Sequence, residues 1–289
     1  KQNLGISYSK LGQTNADLGE LQVALQLFEQ DHQLTIQLYQ DFPENVSYKN
    51  GLAISYEKLG QTNADLGKLQ VALQLFEQDN QLAIQLYQDF PENVSYKNGL
   101  AISYSTLGQT NADLGNLQAA LQFFEQAKQL SIQLYQDFPE NVSYKNGLAI
   151  SYAKLGQTNA DLGKLQVALK FFEQYHQLAL QLYQDFPENV SYKNGLAISY
   201  ERTGQANADL GELQVALQFF EQYHQLTFQL YQDFPENVLY KSNLAISYSK
   251  FGQTNADLGE LQVALQFFEQ EHQLTFQLYQ DFPENVLYK

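Results

Sequence analysis

Tyr56–Phe76 reads Y-E-K-L-G-Q-T-N-A-D-L-G-K-L-Q-V-A-L-Q-L-F, and a close copy of it recurs every 48 residues along the chain. Its fixed points are Tyr56, Leu59, Gly60, Gly67, Ala72 and Phe76, and Gly60 recurs as Gly12, Gly108, Gly156, Gly204 and Gly252. The 289 residues therefore hold six units. Self-similarity at a period of this size marks a solenoid or array, in which each unit buries its apolar face only against its neighbours. The sequence predicts one continuous repeat array over residues 1–289, with neither separate domains nor distinct capping units.

Within a unit, two helical patterns flank a glycine. Leu52, Tyr56, Leu59, Asn63 and Leu66 step by four, three, four and three, which sets them on one stripe of an α-helix. Gly67 then suits the position just past a helix, where a left-handed residue ends the helix without side-chain strain. A second pattern runs from Leu69 to about Phe90, with Leu69, Ala72, Leu73, Phe76, Leu86 and Tyr87 facing inward. Pro91 stops it by pushing the preceding residue out of the helical region. Each helix is about 20 residues, or roughly 30 Å. Gly60 lies inside the first helix, where glycine costs about 1 kcal/mol relative to alanine. Its recurrence in all six units points to the close approach of another backbone opposite Ala72.

Tyr56-x2-Leu59-Gly60 followed by Gly67-x4-Ala72-x3-Phe76 resembles the tetratricopeptide repeat, with its W-x2-L-G-x2-Y opening and later G, A and F. The opening aromatic is tyrosine here, and the next tyrosine of the family is replaced by Asn15, Asn63, Asn111, Asn159, Asn207 and Asn255. The small residue expected three after the phenylalanine is met by Ala127 and departs elsewhere to Asp31, Asp79, Tyr175, Tyr223 or Glu271. The unit exceeds the usual 34 residues by 14, as if each helix had gained about one heptad. The resemblance implies an all-α solenoid: six tandem helix-turn-helix repeats in a right-handed superhelix. For the buried asparagines, two readings stand, a ladder of amides from unit to unit or a partly solvated position.

The same resemblance implies that the first helices line a concave groove that binds peptide segments. By position the groove of the second unit presents Ile54, Glu57, Gln61, Ala64 and Asp65. Matching groove residues in the other units are Gln13, Asp17, Gln109, Asp113, Gln157, Asp161, Glu201, Gln205, Asp209, Gln253 and Asp257. Lys10, Lys58 and Lys154 fall one position off that line, and an acidic ladder opposes a carboxylate. The implied partner is a protein or peptide, in particular a basic or amide-rich extended segment. A structural alternative stands beside it, in which Asp65 caps the following helix across the turn. On the second helix, Gln70, Gln74, Gln78, Gln81, Gln85 and Gln88 share one face, kept in every unit except at Lys170. That stripe reads either as a plain solvated face or as an uncharged contact surface for other chains or sugars.

Composition narrows the function classes. A net charge of −16 disfavours nucleic acid and anionic lipid surfaces. There is no cysteine, hence no disulfide or thiolate chemistry, and no apolar run long enough to insert in a membrane. Cellular compartment stays open. The histidines, His32, His176, His224 and His272, stand at one phase of the repeat, one per unit, and make no ligand pair. No unit departs singly from the repeat as an active site would, so a non-enzymatic chain without cofactor or metal is expected. Asn-Val-Ser at Asn45, Asn93, Asn141 and Asn189 fits the N-glycosylation pattern. The asparagine persists at Asn237 and Asn285, where serine becomes Leu239 and Leu287, which favours a helix N-cap. Lys1 and Lys289 share one phase inside a first helix, so these ends are expected to be unnatural. Either the segment is a window on a longer array or further copies join it end to end. The latter describes an alternative function: a structural subunit of a fibre or filament, extracellular and glycosylated in one version.

Overall fold

A computed structural model describes residues 1–282, which form twelve α-helices paired into six helix-turn-helix repeats of solenoid type. The first helices are α1 (Gln2–Asp17), α3 (Val46–Asp65), α5 (Val94–Asp113), α7 (Val142–Asp161), α9 (Val190–Asp209) and α11 (Val238–Asp257). The second helices are α2 (Leu21–Asp41), α4 (Leu69–Asp89), α6 (Leu117–Asp137), α8 (Leu165–Asp185), α10 (Leu213–Asp233) and α12 (Leu261–Asp281). By internal contacts the chain divides into two bodies, Lys1–Tyr144 and Lys145–Lys289. Within each, helices pack on their neighbours in the chain, as α3 does on α2 and α4, and α10 on α9 and α11.

The turns are made by the residues that the spacing singled out. Gly67 adopts φ 75°, and the turn closes with Gly67 N–H donating to Ala64 O and Lys68 N–H to Asn63 O, both at 2.8 Å. This double closure satisfies carbonyls that the end of α3 would leave without partners. At the other end of the hairpin, Asn45 Oδ1 accepts from Ser47 N–H at 3.0 Å and Tyr48 N–H at 3.2 Å. Asn93, Asn141, Asn189 and Asn237 cap their helices in the same way, so the N-cap is what these asparagines do locally. Asn285 lies outside the described residues. The loop phenylalanine packs on the new helix, with Phe42 and Tyr48 ring centroids 5.9 Å apart.

Two details differ from the sequence reading. A Cβ placed on Gly60 would meet ring atoms of Phe76 at 2.5 and 2.7 Å, so the close approach is that of an aromatic ring and not of another backbone. Phe76 is 2% exposed and cannot swing aside. The same collision awaits at Gly12, Gly108, Gly156, Gly204 and Gly252. In the second to sixth units the asparagine that replaces the family's second tyrosine makes neither a ladder nor a solvated site, whereas Asn15 of the first unit is half-buried. Asn63 is buried, and its Nδ2 donates to Leu59 O, one turn back in its own helix, at 2.8 Å. The amide is satisfied locally, which removes the cost of burying it.

The core runs across repeats. Ala72 and Phe76 of α4 close on Leu107 of α5, all at 2% exposure or less. In the second body, Ala168 and Phe172 of α8 meet Ala206 of α9. Each of these second helices is thus sandwiched between the first helix of its own unit and that of the next.

Candidate functional site

The residues that the resemblance assigns to a groove lie along the first helices. In the first body, Gln13 of α1 and Glu57, Gln61 and Asp65 of α3 line one depression of about 240 Å³ together with Lys58. Asp65 does not cap the next helix. Its Oδ1 accepts from Gln61 Nε2 at 2.7 Å, and no side chain caps α4. The other five units repeat this pair: Gln13 with Asp17, Gln109 with Asp113, Gln157 with Asp161, Gln205 with Asp209 and Gln253 with Asp257, at 2.6–2.9 Å. The amide and carboxylate four residues apart brace each other along the exposed helix face.

Lys58, one position off that line, still reaches the same depression. Lys58 Nζ donates to Ser9 Oγ at 2.7 Å and so bridges α3 to α1. In the second body, Arg202 donates to Gln157 and Lys250 to Gln205, while Glu201 pairs with both Arg202 and Lys250. A long flexible stem carries the charge sideways into the groove, which position on a helical wheel does not register.

Behind the groove lies a polar joint between repeats. Ser55 donates to Leu52 O, so its oxygen is left to accept, and His32 Nδ1 sits 2.8 Å away. The His32 ring also meets Tyr56 edge-on, centroids 4.4 Å apart. His176 with Ser199 and His224 with Ser247 repeat the arrangement at 2.9 Å. Burial pushes all three imidazoles below their ordinary range, which keeps them neutral. In the second unit the histidine is Asn80, and Asn80 Nδ2 donates to Ser103 Oγ at 3.1 Å. Ser103 in turn gives its proton to Asp79 Oδ2 at 2.7 Å.

The residue one position earlier separates the units. Asp31 and Asp79 are buried carboxylates in the first body. Burial raises Asp31 above the ordinary range, with Lys58 and the Ser9 hydroxyl acting against it. Burial likewise pushes Asp79 up to about 6, opposed by the Ser103 hydrogen bond and reinforced by the charge of Glu57. Above these carboxylates the structure leaves cavities of about 180 Å³ at Asp31 and about 120 Å³ at Asp79. In the second body the same position is Tyr175 or Tyr223. Their hydroxyls donate across the joint to Gly195 O at 2.8 Å and Asn243 O at 3.1 Å. Burial drives Tyr175 up to about 12, and Tyr223 is raised as well.

In the sequence this position stands out only as a departure from a small residue, with no sign that it opens or fills a cavity. Comparing the units position by position carries the signal, because the residue changes between carboxylate, alanine and phenol. The glutamine stripe of the second helices is exposed, as at Gln70, Gln74 and Gln78. Among the described residues no helix is long and apolar enough to cross a membrane.

Comparison with known proteins agrees with this geometry. A tetratricopeptide repeat family model matches residues 100–140. No curated protein matches the chain. Among solved structures, BtubC (BKLC) from P. vanneervenii is similar at 16% identity and a TM-score of 0.64, over 88% of this chain and 90% of that one. The nearly identical TPR-like repeats of a putative kinesin light chain from Podosopora anserina align at 19% identity and a TM-score of 0.57, over 78% of this chain and 95% of that one. The apo form of RapI aligns at 10% identity and a TM-score of 0.61, over 96% and 99%. At such identities these likenesses speak for the fold. The segment matched by the family model falls in the third of six near-copies, so a tetratricopeptide repeat is recognised in one unit and its pattern recurs in the other five at a spacing of 48 residues.

Proposed function

We propose that the chain is a non-enzymatic interaction scaffold whose first helices hold an extended, basic or amide-rich protein segment. Repeats of this kind serve protein–protein interaction. The observation that carries the finer reading is the depression where Gln13, Glu57, Gln61 and Asp65 converge from two successive repeats. It offers amide donors and acceptors beside carboxylates, on a chain of net charge −16. Its carboxylates attract cations and its amides accept backbone hydrogen bonds beside Lys58, while the net charge of the chain opposes phosphate and carboxylate.

Fluorescence anisotropy with extended peptides tests this. A lysine- and glutamine-rich peptide is expected to bind, and to weaken as salt rises. Its glutamate-substituted counterpart is expected not to bind. Equal binding of the two peptides would remove the charge argument, and binding of neither would remove the groove itself.

A further inference from the structure

We infer that the cavity floored by Asp79 is a socket for a primary ammonium group, the end of a lysine side chain of a bound segment. The inference rests on the groove reading above and names one contact within it.

The position of Lys58 is basic in five units, as Lys10, Lys58, Lys154, Arg202 and Lys250, and in the remaining one it is Thr106. Asp31, one repeat earlier, is the counterpart of Asp79, and it has a cation of its own in Lys58. Asp79 faces Thr106 across its cavity instead, and no lysine or arginine pairs with it among the described residues. The charged group nearest in effect is Glu57, of the same sign. Among the described residues this joint alone combines a buried carboxylate with the loss of the internal cation. Burying a carboxylate without a counter-charge is costly unless a cation or a proton neutralises it. A cation brought by a partner supplies what Lys58 supplies to Asp31.

The socket has the shape for it. Asp79 is 8% exposed and lies at the floor, with Ser103 beside it and Ala83, Leu86 and Leu100 as apolar walls. Its roughly 120 Å³ exceeds many-fold the 10–15 Å³ needed by one water centre. That accommodates an ammonium and the last methylenes of its stem. A compact, rotatable point charge suits one carboxylate and one hydroxyl better than the planar fork of a guanidinium. In the second body the tyrosines fill the corresponding place, so no such socket is expected there.

The test titrates the full chain with the blocked tripeptide Ala-Lys-Ala and with its norleucine analogue, which keeps the stem and lacks the charge. Amide resonances of Ser103 and Thr106 report the socket. The lysine peptide is expected to shift them and the norleucine peptide to leave them in place. Asp79→Asn removes the charge with little change of shape, and Thr106→Lys provides the internal cation. Both are expected to weaken binding at least about tenfold while circular dichroism stays helical. Undiminished binding by Thr106→Lys, equal binding of norleucine, or shifts confined to other repeats would each overturn the proposal. If long basic peptides bind wild type and both variants alike, the socket fails and the groove stands. If the lysine tripeptide shifts Ser103 and Thr106 while no long peptide binds, the groove fails and the socket stands.

Discussion

Lys1–Tyr144 and Lys145–Asp281 use one framework and differ at one joint. Both have the glycine-on-phenylalanine packing, the αL turn and the asparagine cap. In the first, the joint between repeats holds a buried carboxylate under an open cavity; in the second, it holds a phenol that bonds the next repeat's backbone. A single position thus decides whether the seam is open or filled, while the scaffold around it stays constant. Near-identical repeats can carry local specialisation in one buried position, with the exposed faces little changed.

The sharpest way to break this comparison is to empty the filled seam. Tyr223→Ala removes a 3%-exposed ring and the bond to Asn243 O. We expect a loss of about 3–5 kcal/mol, the range for large aromatic truncations in cores. Asp79→Ala, at the same position, is expected to cost less than about 1 kcal/mol, because it also relieves a desolvated charge. Ala127 already occupies that position, 1% exposed, in the third unit. Urea unfolding measured by circular dichroism compares the two, and equal losses would show that the phenol does not close the seam.

A control on the shared framework follows. Gly108→Val and Gly204→Val each drive a side chain into a buried phenylalanine, with the first Cβ contacts at 2.6 and 2.8 Å. Both are expected to lower stability by about 1–3 kcal/mol or more. Replacing Phe124 by leucine alongside Gly108→Val should recover part of the loss. A large difference between the two halves would mean that the framework is not common to them.

The framework was legible in the sequence because its parts are local. A left-handed turn at Gly67, a stop at Pro91 and an apolar stripe from Leu52 to Leu66 follow from spacing and backbone sterics. What meets Gly60 was not legible, since the pattern names the helix that approaches but not the atom that arrives. Lys58 falls off the groove on a helical wheel for a related reason: the wheel places Cβ atoms, and a lysine stem carries its charge several ångströms further. The joint was hardest to see. Asp31, Asp79, Tyr175 and Tyr223 are one position in the repeat, and only depth distinguishes a floor from a plug.

Acid separates the α4–α5 joint from the α8–α11 joints by sign. Asp79 takes its proton near pH 6 in the folded chain, whereas an unfolded aspartate takes it near 3.8. The native state binds more protons in that window, so stability around α4 and α5 rises as pH falls through it. His176 and His224 are held below 6.5, so there the unfolded state binds more protons, and stability around α8–α11 falls as pH drops below 6.5. Site-resolved hydrogen exchange, corrected for intrinsic rates, should show protection growing in α4–α5 and shrinking in α8–α11 as the solution is taken from neutral to mildly acidic. Asp79→Asn should flatten the first change and His224→Asn part of the second. Parallel trends at both places would refute the assignment.

The smallest effect expected is one that the halves share. Lys97 Nζ lies 3.2 Å from Asp137 Oδ2, and Lys193 Nζ lies 3.1 Å from Asp233 Oδ2; each pair joins the start of a first helix to the end of the second helix in its own unit. The lysine side chains are mostly covered, 16% and 14% exposed, while the carboxylates stand 53% and 57% in water. A carboxylate so hydrated gains little from its partner, and fixing both side chains costs entropy that offsets much of the attraction. Lys97→Ala and Lys193→Ala should therefore each lower stability by less than about 1 kcal/mol. The loss should shrink further as salt screens the pair. The carboxylates also sit at helix C-terminal ends, where negative charge is unfavourable, so removing the lysine exposes that penalty equally in both halves. A loss several times larger at Lys97 than at Lys193 would place part of the difference between the halves at the open end of the hairpin. The buried joint would then no longer be where they diverge.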